Sequence, residues 1–241
     1  MSDHTDPKRA NQGGQGSRSL DDALGTAIPV FPLPQVVLFP AAVLPLHIFE
    51  PRYRAMLAHS LSTHGAMAIA HLIGGEDEHG RPRIAPIAGG GIVIEHQSLP
   101  DGRSNIVLLG QARLRLDELD PDETRPFRMA RATKLDDLPV SVRQNDRTAL
   151  VAAATMFAAE VKKHDPSFSF RIPATSDGLD RLDASHVADL CAFQLVVDAG
   201  ARQAILNELD PRARVEMVLS QLALQHGAMI HSDKSRVTVL N

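Results

Sequence analysis

Residues 28–53 constrain this chain more than any other stretch. They read Ile28-Pro29-Val30-Phe31-Pro32-Leu33-Pro34, then Val36-Val37-Leu38-Phe39-Pro40, then Leu44-Pro45-Leu46-His47-Ile48-Phe49-Glu50-Pro51-Arg52-Tyr53. β-Branched and aromatic residues favour strands. Proline has no N–H to give to a ladder, so it confines those strands to starts, edges and turns. It also pushes the preceding residue toward extended geometry. The pattern predicts the entry strands of a small irregular barrel. A helix then opens at Glu50-Pro51, with Pro51 at the first helical position, where a missing N–H costs least.

The β pattern continues to about residue 138. Ala66–Ile73 reads as a buried strand, and Gly74-Gly75-Glu76-Asp77-Glu78-His79-Gly80 as a loop. Gly89-Gly90-Gly91 leads into Ile92-Val93-Ile94. Pro100-Asp101-Gly102-Arg103 reads as a hairpin turn, because Asp-Gly supplies the positive φ of a tight turn. Ile106–Leu109 is the return strand, and Gly110 marks a bulge or corner. Arg113-Leu114-Arg115-Leu116 and residues 126–132 alternate polar and apolar, as half-exposed strands do. Short strands with glycine corners favour a closed or partly closed barrel.

The period then changes. Leu150, Val151, Ala154, Phe157, Ala158 and Val161 share one face of a helix over about 141–164, which Asp165-Pro166 stops. Residues 166–182 read as a loop. Ser185 is placed to cap a helix carrying Val187, Leu190, Cys191 and Leu195. After Gly200 comes a short helix at about 201–208. Asp210-Pro211 opens the last helix, with Val215, Val218, Leu219 and Leu222 on its apolar face, and Gly227 is expected to end it. The expected organisation is α+β: a disordered tail over 1–26, a barrel over 27–138, a helical subdomain over 139–228, and a polar tail over 229–241 with a short strand at Val237–Leu240.

Composition narrows the function. Hydrophobic residues make up 44% of the 241, enough for a core. Net charge is −4, which does not suit a general polyanion binder. There is no Trp and one Tyr, so base-stacking platforms are hard to build. The single cysteine, Cys191, excludes an internal disulfide and reads as a small buried hydrophobe. No apolar run is long enough to span a bilayer, and no signal segment opens the chain, so a soluble cytoplasmic protein without membrane contact is expected.

The motifs of catalysis and metal binding fail on context. Gly13-Gly14-Gln15-Gly16-Ser17 lacks the Lys-Ser/Thr pair and flanking elements of a phosphate loop. His59 and His64, and His226 and His231, lack ligand spacing with a supporting carboxylate. Glu76–His79 lacks the spaced ligands of a calcium loop. No G-x-S-x-G elbow occurs. No catalytic residue, metal or cofactor is expected.

Pro29-Val30-Phe31-Pro32-Leu33, Val36-Val37-Leu38-Phe39-Pro40 and Leu44-Pro45-Leu46 resemble the opening of the N-terminal substrate-binding domain of Lon proteases. Asp101-Gly102 with Ile106-Val107 and Gly110-Gln111-Ala112-Arg113 resembles that family's central hairpin. Ala188-Asp189-Leu190 resembles its helix entry, and Gln203-Ala204-Ile205-Leu206 through Asp210-Pro211-Arg212-Ala213-Arg214-Val215 its closing helices. The resemblance covers about residues 28–225, and Leu46–Tyr53 is closest to the stand-alone bacterial members. It implies a PUA-like β-barrel followed by a helical bundle. It also implies binding of unfolded or extended polypeptide, in protein quality control, with a protease or chaperone as a further partner. The full protease also needs a GxxxxGK[ST] loop and a lysine-activated serine. Neither occurs here, so a non-catalytic module is expected, and any peptidase label would be inherited by similarity.

The polypeptide-contact candidates are Phe31, Leu33, Leu38 and Phe39, as an apolar patch, and Glu50, Arg52 and Tyr53, as a polar cluster. Burial is the stronger reading for each of the first four, and a structural role for Glu50 and Tyr53. Binding is expected in an apolar groove near the barrel–helix junction, with strand addition at a proline-blunted edge as one mode. The alternative is an RNA-binding PUA-like module using Arg81, Arg83, Arg113, Arg115, Arg125, Arg128 and Arg131, although alternation makes the outer face of strands the stronger reading of these arginines.

Overall fold

The computed structural model describes residues 19–171 and 183–238. Seven strands come first, interrupted by one helix: β1 (Ala27–Leu33), β2 (Val43–Ile48), α1 (Pro51–Ser62), β3 (Ala66–Glu76), β4 (Pro82–Ile84), β5 (Ile87–Ser98), β6 (Ser104–Glu118) and β7 (Arg128–Leu135). Four helices follow: α2 (Gln144–His164), α3 (Ala184–Leu195), α4 (Ala199–Asn207) and α5 (Pro211–Thr238).

The sheet closes on itself in the order β1-β7-β6-β5-β3, because β1 pairs antiparallel with β7 and parallel with β3. This is a closed barrel of five strands. β4 hangs on β3, and β2 lies along the first half of β6. The prolines of β1 fit because the strand is shared. Ala27–Val30 pairs with β7 and Val30–Leu33 with β3, so Pro29 and Pro32 each sit where one edge of β1 has no strand partner.

Alternate residues of the five strands fill the barrel, and they are small. Ile28 and Val30, Ala66, Ala68 and Ala70, Ala88 and Ile92, Ala112 and Leu114, and Ala130 and Ala132 form one cluster. Leu20 joins it at 1% exposure, so residues 19–26 are not a free tail: they turn across the barrel and bury Leu20 and Ala23. The rest of the expected tail, 1–18, lies outside the described residues.

Glycines let the backbone following β1 lie against the barrel wall. A Cβ on Gly89 would stand 2.0 Å from the Leu38 carbonyl oxygen, and one on Gly110 2.0 Å from that of Phe39. The Gly110 corner is also a bulge, since Gly90 faces Ala112 while Gly91 faces Gly110. Gly74 and Gly75 were expected in a loop. They lie instead within β3, both at positive φ, where the pairing with β4 shifts register.

A second cluster joins the outer wall of the barrel to the helices. It runs from Phe39, Met67 and Ile69 through Leu150, Phe157 and Val187 to Ile205, Val215 and Val218. Asp210 caps α5, accepting from Arg212 N at 2.8 Å, with Pro211 opening the helix as expected. Ser185 is not the cap of α3. Asp183 is, and Ser185 is buried within the first turn. Gly227 does not end α5, which continues to Thr238 with no strand at 237–238. A single glycine costs only about 1 kcal/mol in a helix and does not stop one.

Candidate functional site

Beyond the barrel, β2, the first half of β6 and the second half of β5 form a three-stranded ribbon. Pro45, Val107 and Glu95 lie abreast, as do His47, Asn105 and Gln97. His47 Nδ1 is 2.7 Å from Asn105 Oδ1, and Asn105 Nδ2 donates to Gln97 Oε1 at 3.3 Å. This polar row crosses a cleft of about 550 Å³ whose lining includes Pro45, Glu95 and Val107. Across the strands, His96 Nε2 approaches Ser104 Oγ at 3.2 Å. Ile94–Ser98 is exposed residue after residue, so both faces of β5 are open there, while Ile106 of β6 and Ile48 of β2 are buried. Phe49, 58% exposed at the end of β2, stacks beside His47 with ring centroids 6.1 Å apart.

The residues expected to contact polypeptide separate into two groups. Leu38 and Phe39 are fully buried, and Phe31 and Tyr53 nearly so, their rings 4.4 Å apart. The expected apolar patch is therefore core, with Leu33 half-buried at its margin. Glu50 and Arg52 reach solvent as an ion pair at 2.9 Å, with the Arg52 guanidinium 4.5 Å over the Tyr53 ring. Burial pushes the Tyr53 phenol up. The sequence does not single out the β5 part of the ribbon. A run of Glu, His, Gln and Ser after a strand reads as a loop, and only its pairing with Ser104–Val107 shows it to be a strand.

A charge cluster is buried at the barrel–helix junction. Arg113 of β6, expected on an outer face, is 3% exposed and donates to Asp189 of α3 at 2.9 Å and to the Leu206 carbonyl at 2.9 Å. Arg214 of α5 is fully buried. It donates to Ser185 at 2.8 Å and to the Glu208 carbonyl at 2.9 Å, and pairs with Asp137. Burial pushes the Asp189 carboxyl up, against the pull of Arg113 and Arg214. Burial acts upward on Asp137 too, but hydrogen bonds from Arg214 and Ser185 outweigh it and hold that carboxyl below the usual range.

The model of the ATP-dependent protease La (LON) substrate-binding domain matches residues 27–223. The chain belongs to the Lon substrate-binding domain family. It is 25% identical over 201 residues to a Lon protease of Trichlorobacter lovleyi, covering 83% of this chain and 24% of that protein. It is 28% identical over 229 residues to Lon protease 2 of Herpetosiphon aurantiacus, covering 87% of this chain and 26% of that one. The chain thus spans about a quarter of the length of these relatives. Its fold is shared by the Lon N-terminal domain protein from Xanthomonas campestris, with a TM-score of 0.58 and 20% identity over 81% of this chain and 98% of that one. The N-terminal domain of Mycobacterium avium complex Lon protease has the same TM-score, 0.58, at 13% identity over 82% of this chain and 98% of that one.

In this Lon-family barrel most of the arginines considered for RNA are already engaged. Arg81 pairs with Asp77 and Glu118, Arg128 with Glu118, Arg125 with Asp122, and Arg113 with Asp189. Among the described residues no cluster of His, Cys, Asp and Glu is arranged to hold a metal ion, and no helix is long and apolar enough to cross a membrane.

Proposed function

We propose that this chain is a non-catalytic binding module that captures extended or unfolded polypeptide through the β2–β6–β5 ribbon, in the cytoplasm. Membership of the Lon substrate-binding family supports the class of ligand. The observation that carries the location is the end of β5, exposed at every residue from Ile94 to Ser98, on a ribbon held by a closed barrel. That surface offers backbone beside a mixed polar and apolar lining, which suits ligands of many sequences, because main-chain hydrogen bonds do not depend on side-chain identity. Glu50 and Arg52, where β2 passes into α1, extend the surface. Delivery of the captured chain to a protease or chaperone is the role that follows.

The test is titration of a fluorescent, chemically unfolded model protein with the full chain, without ATP. Saturable binding with the probe left uncut is expected, and no binding at high micromolar protein would overturn the reading. RNA is the competing ligand. The engagement of Arg81, Arg113, Arg125 and Arg128 by carboxylates argues against it. An RNA complex that weakens steeply with salt would reinstate it.

A further inference from the structure

Resting on the polypeptide-binding reading, we propose that the free edge of β5, Ile94–Ser98, takes up an extended polypeptide segment as an added strand. Up to Ile92, β5 is flanked by β6 on one side and β3 on the other, and Val93 N still donates to Gly65 O at 2.8 Å. From Ile94 onward β6 is the only strand partner among the described residues. The Leu99 N–H donates to Arg103 O at 2.8 Å, which makes Leu99 and Arg103 a hydrogen-bonded pair. Antiparallel pairs alternate. Gln97 and Glu95 therefore turn their main-chain groups to β6, while His96 and Ser98 turn theirs outward.

The two outer edges of the ribbon differ. β2 carries Pro45 in its middle, which blunts it. The Ile94–Ser98 edge has no proline, and its one formal charge is Glu95. An unpaired row of N–H and C=O groups is complementary to another extended backbone. Glu95 adds a preference for a basic side chain beside it. The ligand is thus a proline-free, extended segment carrying a basic residue. A second copy of this chain is the weaker occupant, since so short an edge falls well below the roughly 1,200 Å² buried in stable dimers.

The test is amide hydrogen exchange on the full chain, with and without a reduced, carboxymethylated model protein as unfolded probe. The His96 and Ser98 amides exchange fast in the free protein and slow on binding, while those of Gln97 and Leu99 are slow in both states. His96→Pro removes an outward donor without touching the β6 ladder and weakens binding at least about tenfold. Met156→Asp, on the groove between α2 and α5, stays within about twofold of the parent. The inference is overturned if the probe binds while the His96 and Ser98 amides remain fast, or if His96→Pro binds as the parent does. It is also overturned if those amides are already slow in a free protein that sediments as a dimer. Failure of the parent chain to bind the probe at all removes the polypeptide reading itself.

Discussion

A methyl group at position 110 has nowhere to go. Its carbon would lie 2.0 Å from a backbone oxygen, and backbone cannot swing aside as a side-chain tip can. Gly110→Ala is expected to cost about 3 kcal/mol, read as a lower midpoint in chemical denaturation. At Cys191 the relevant property is access. The thiol is fully buried, and burial pushes its pKa up to about 12. A thiol reagent at neutral pH should label it only as fast as the chain opens, so labelling without unfolding would contradict its place in the core. The sequence made both residues readable, one as a corner and the other as a small hydrophobe. It could not show that the Phe39 carbonyl is what requires glycine at 110, because the two meet only in the folded barrel.

Among the elements, the β3–β4 connection has the clearest electrostatic signature. Burial acts upward on the Asp77 carboxyl, but the Arg81 and His79 main-chain N–H groups and the Arg81 side chain outweigh it and lower the pKa from 3.8 to about 2. A depressed carboxylate stabilises the folded form above the ordinary carboxylate range, and that contribution is lost as pH falls toward 2. The Asp77 carboxyl carbon, followed by NMR, should titrate well below the ordinary aspartate value of 3.8. Asp77→Asn should speed amide exchange at His79 and Arg81. Helix starts were legible at this scale: Pro51 and Asp210-Pro211 open α1 and α5 where chain chemistry says they must. The end of α5 was not, since continued helix past Gly227 is decided by its neighbours along the chain and not by one residue's preference.

In the whole molecule, the barrel and the helices are joined by a buried charge cluster whose members come from distant parts of the chain. Arg113 and Asp189 are 76 positions apart, and Arg214 and Asp137 77. Removing Asp189 takes from Arg113 its bidentate carboxylate and leaves only Asp137, 4.0 Å away, to balance that buried charge. Asp189→Ala should therefore cost about 3–5 kcal/mol, while Arg113→Leu combined with Asp189→Leu should recover much of that loss in a double-mutant cycle. The shared core predicts one cooperative transition. Tyr53 fluorescence, reporting the barrel, and far-ultraviolet circular dichroism, reporting mainly the helices, should give coincident melting curves. Separated curves would mean that the halves fold independently.

The sequence by itself determined the barrel's entry, the hairpin at Asp101-Gly102, the amphipathic helices and membership of the Lon substrate-binding family. Those features are local: proline lacks a donor, glycine tolerates positive φ, and apolar spacing follows the period of the element. Only the tertiary structure decided which side chains face outward. Closure of the sheet buried Phe31, Leu38, Phe39 and Tyr53, drew Arg113 inward to a carboxylate, and left the polar end of β5 as the open edge. Burial and edge exposure depend on which segments meet across the sheet, and a pattern read along one strand does not contain its neighbours.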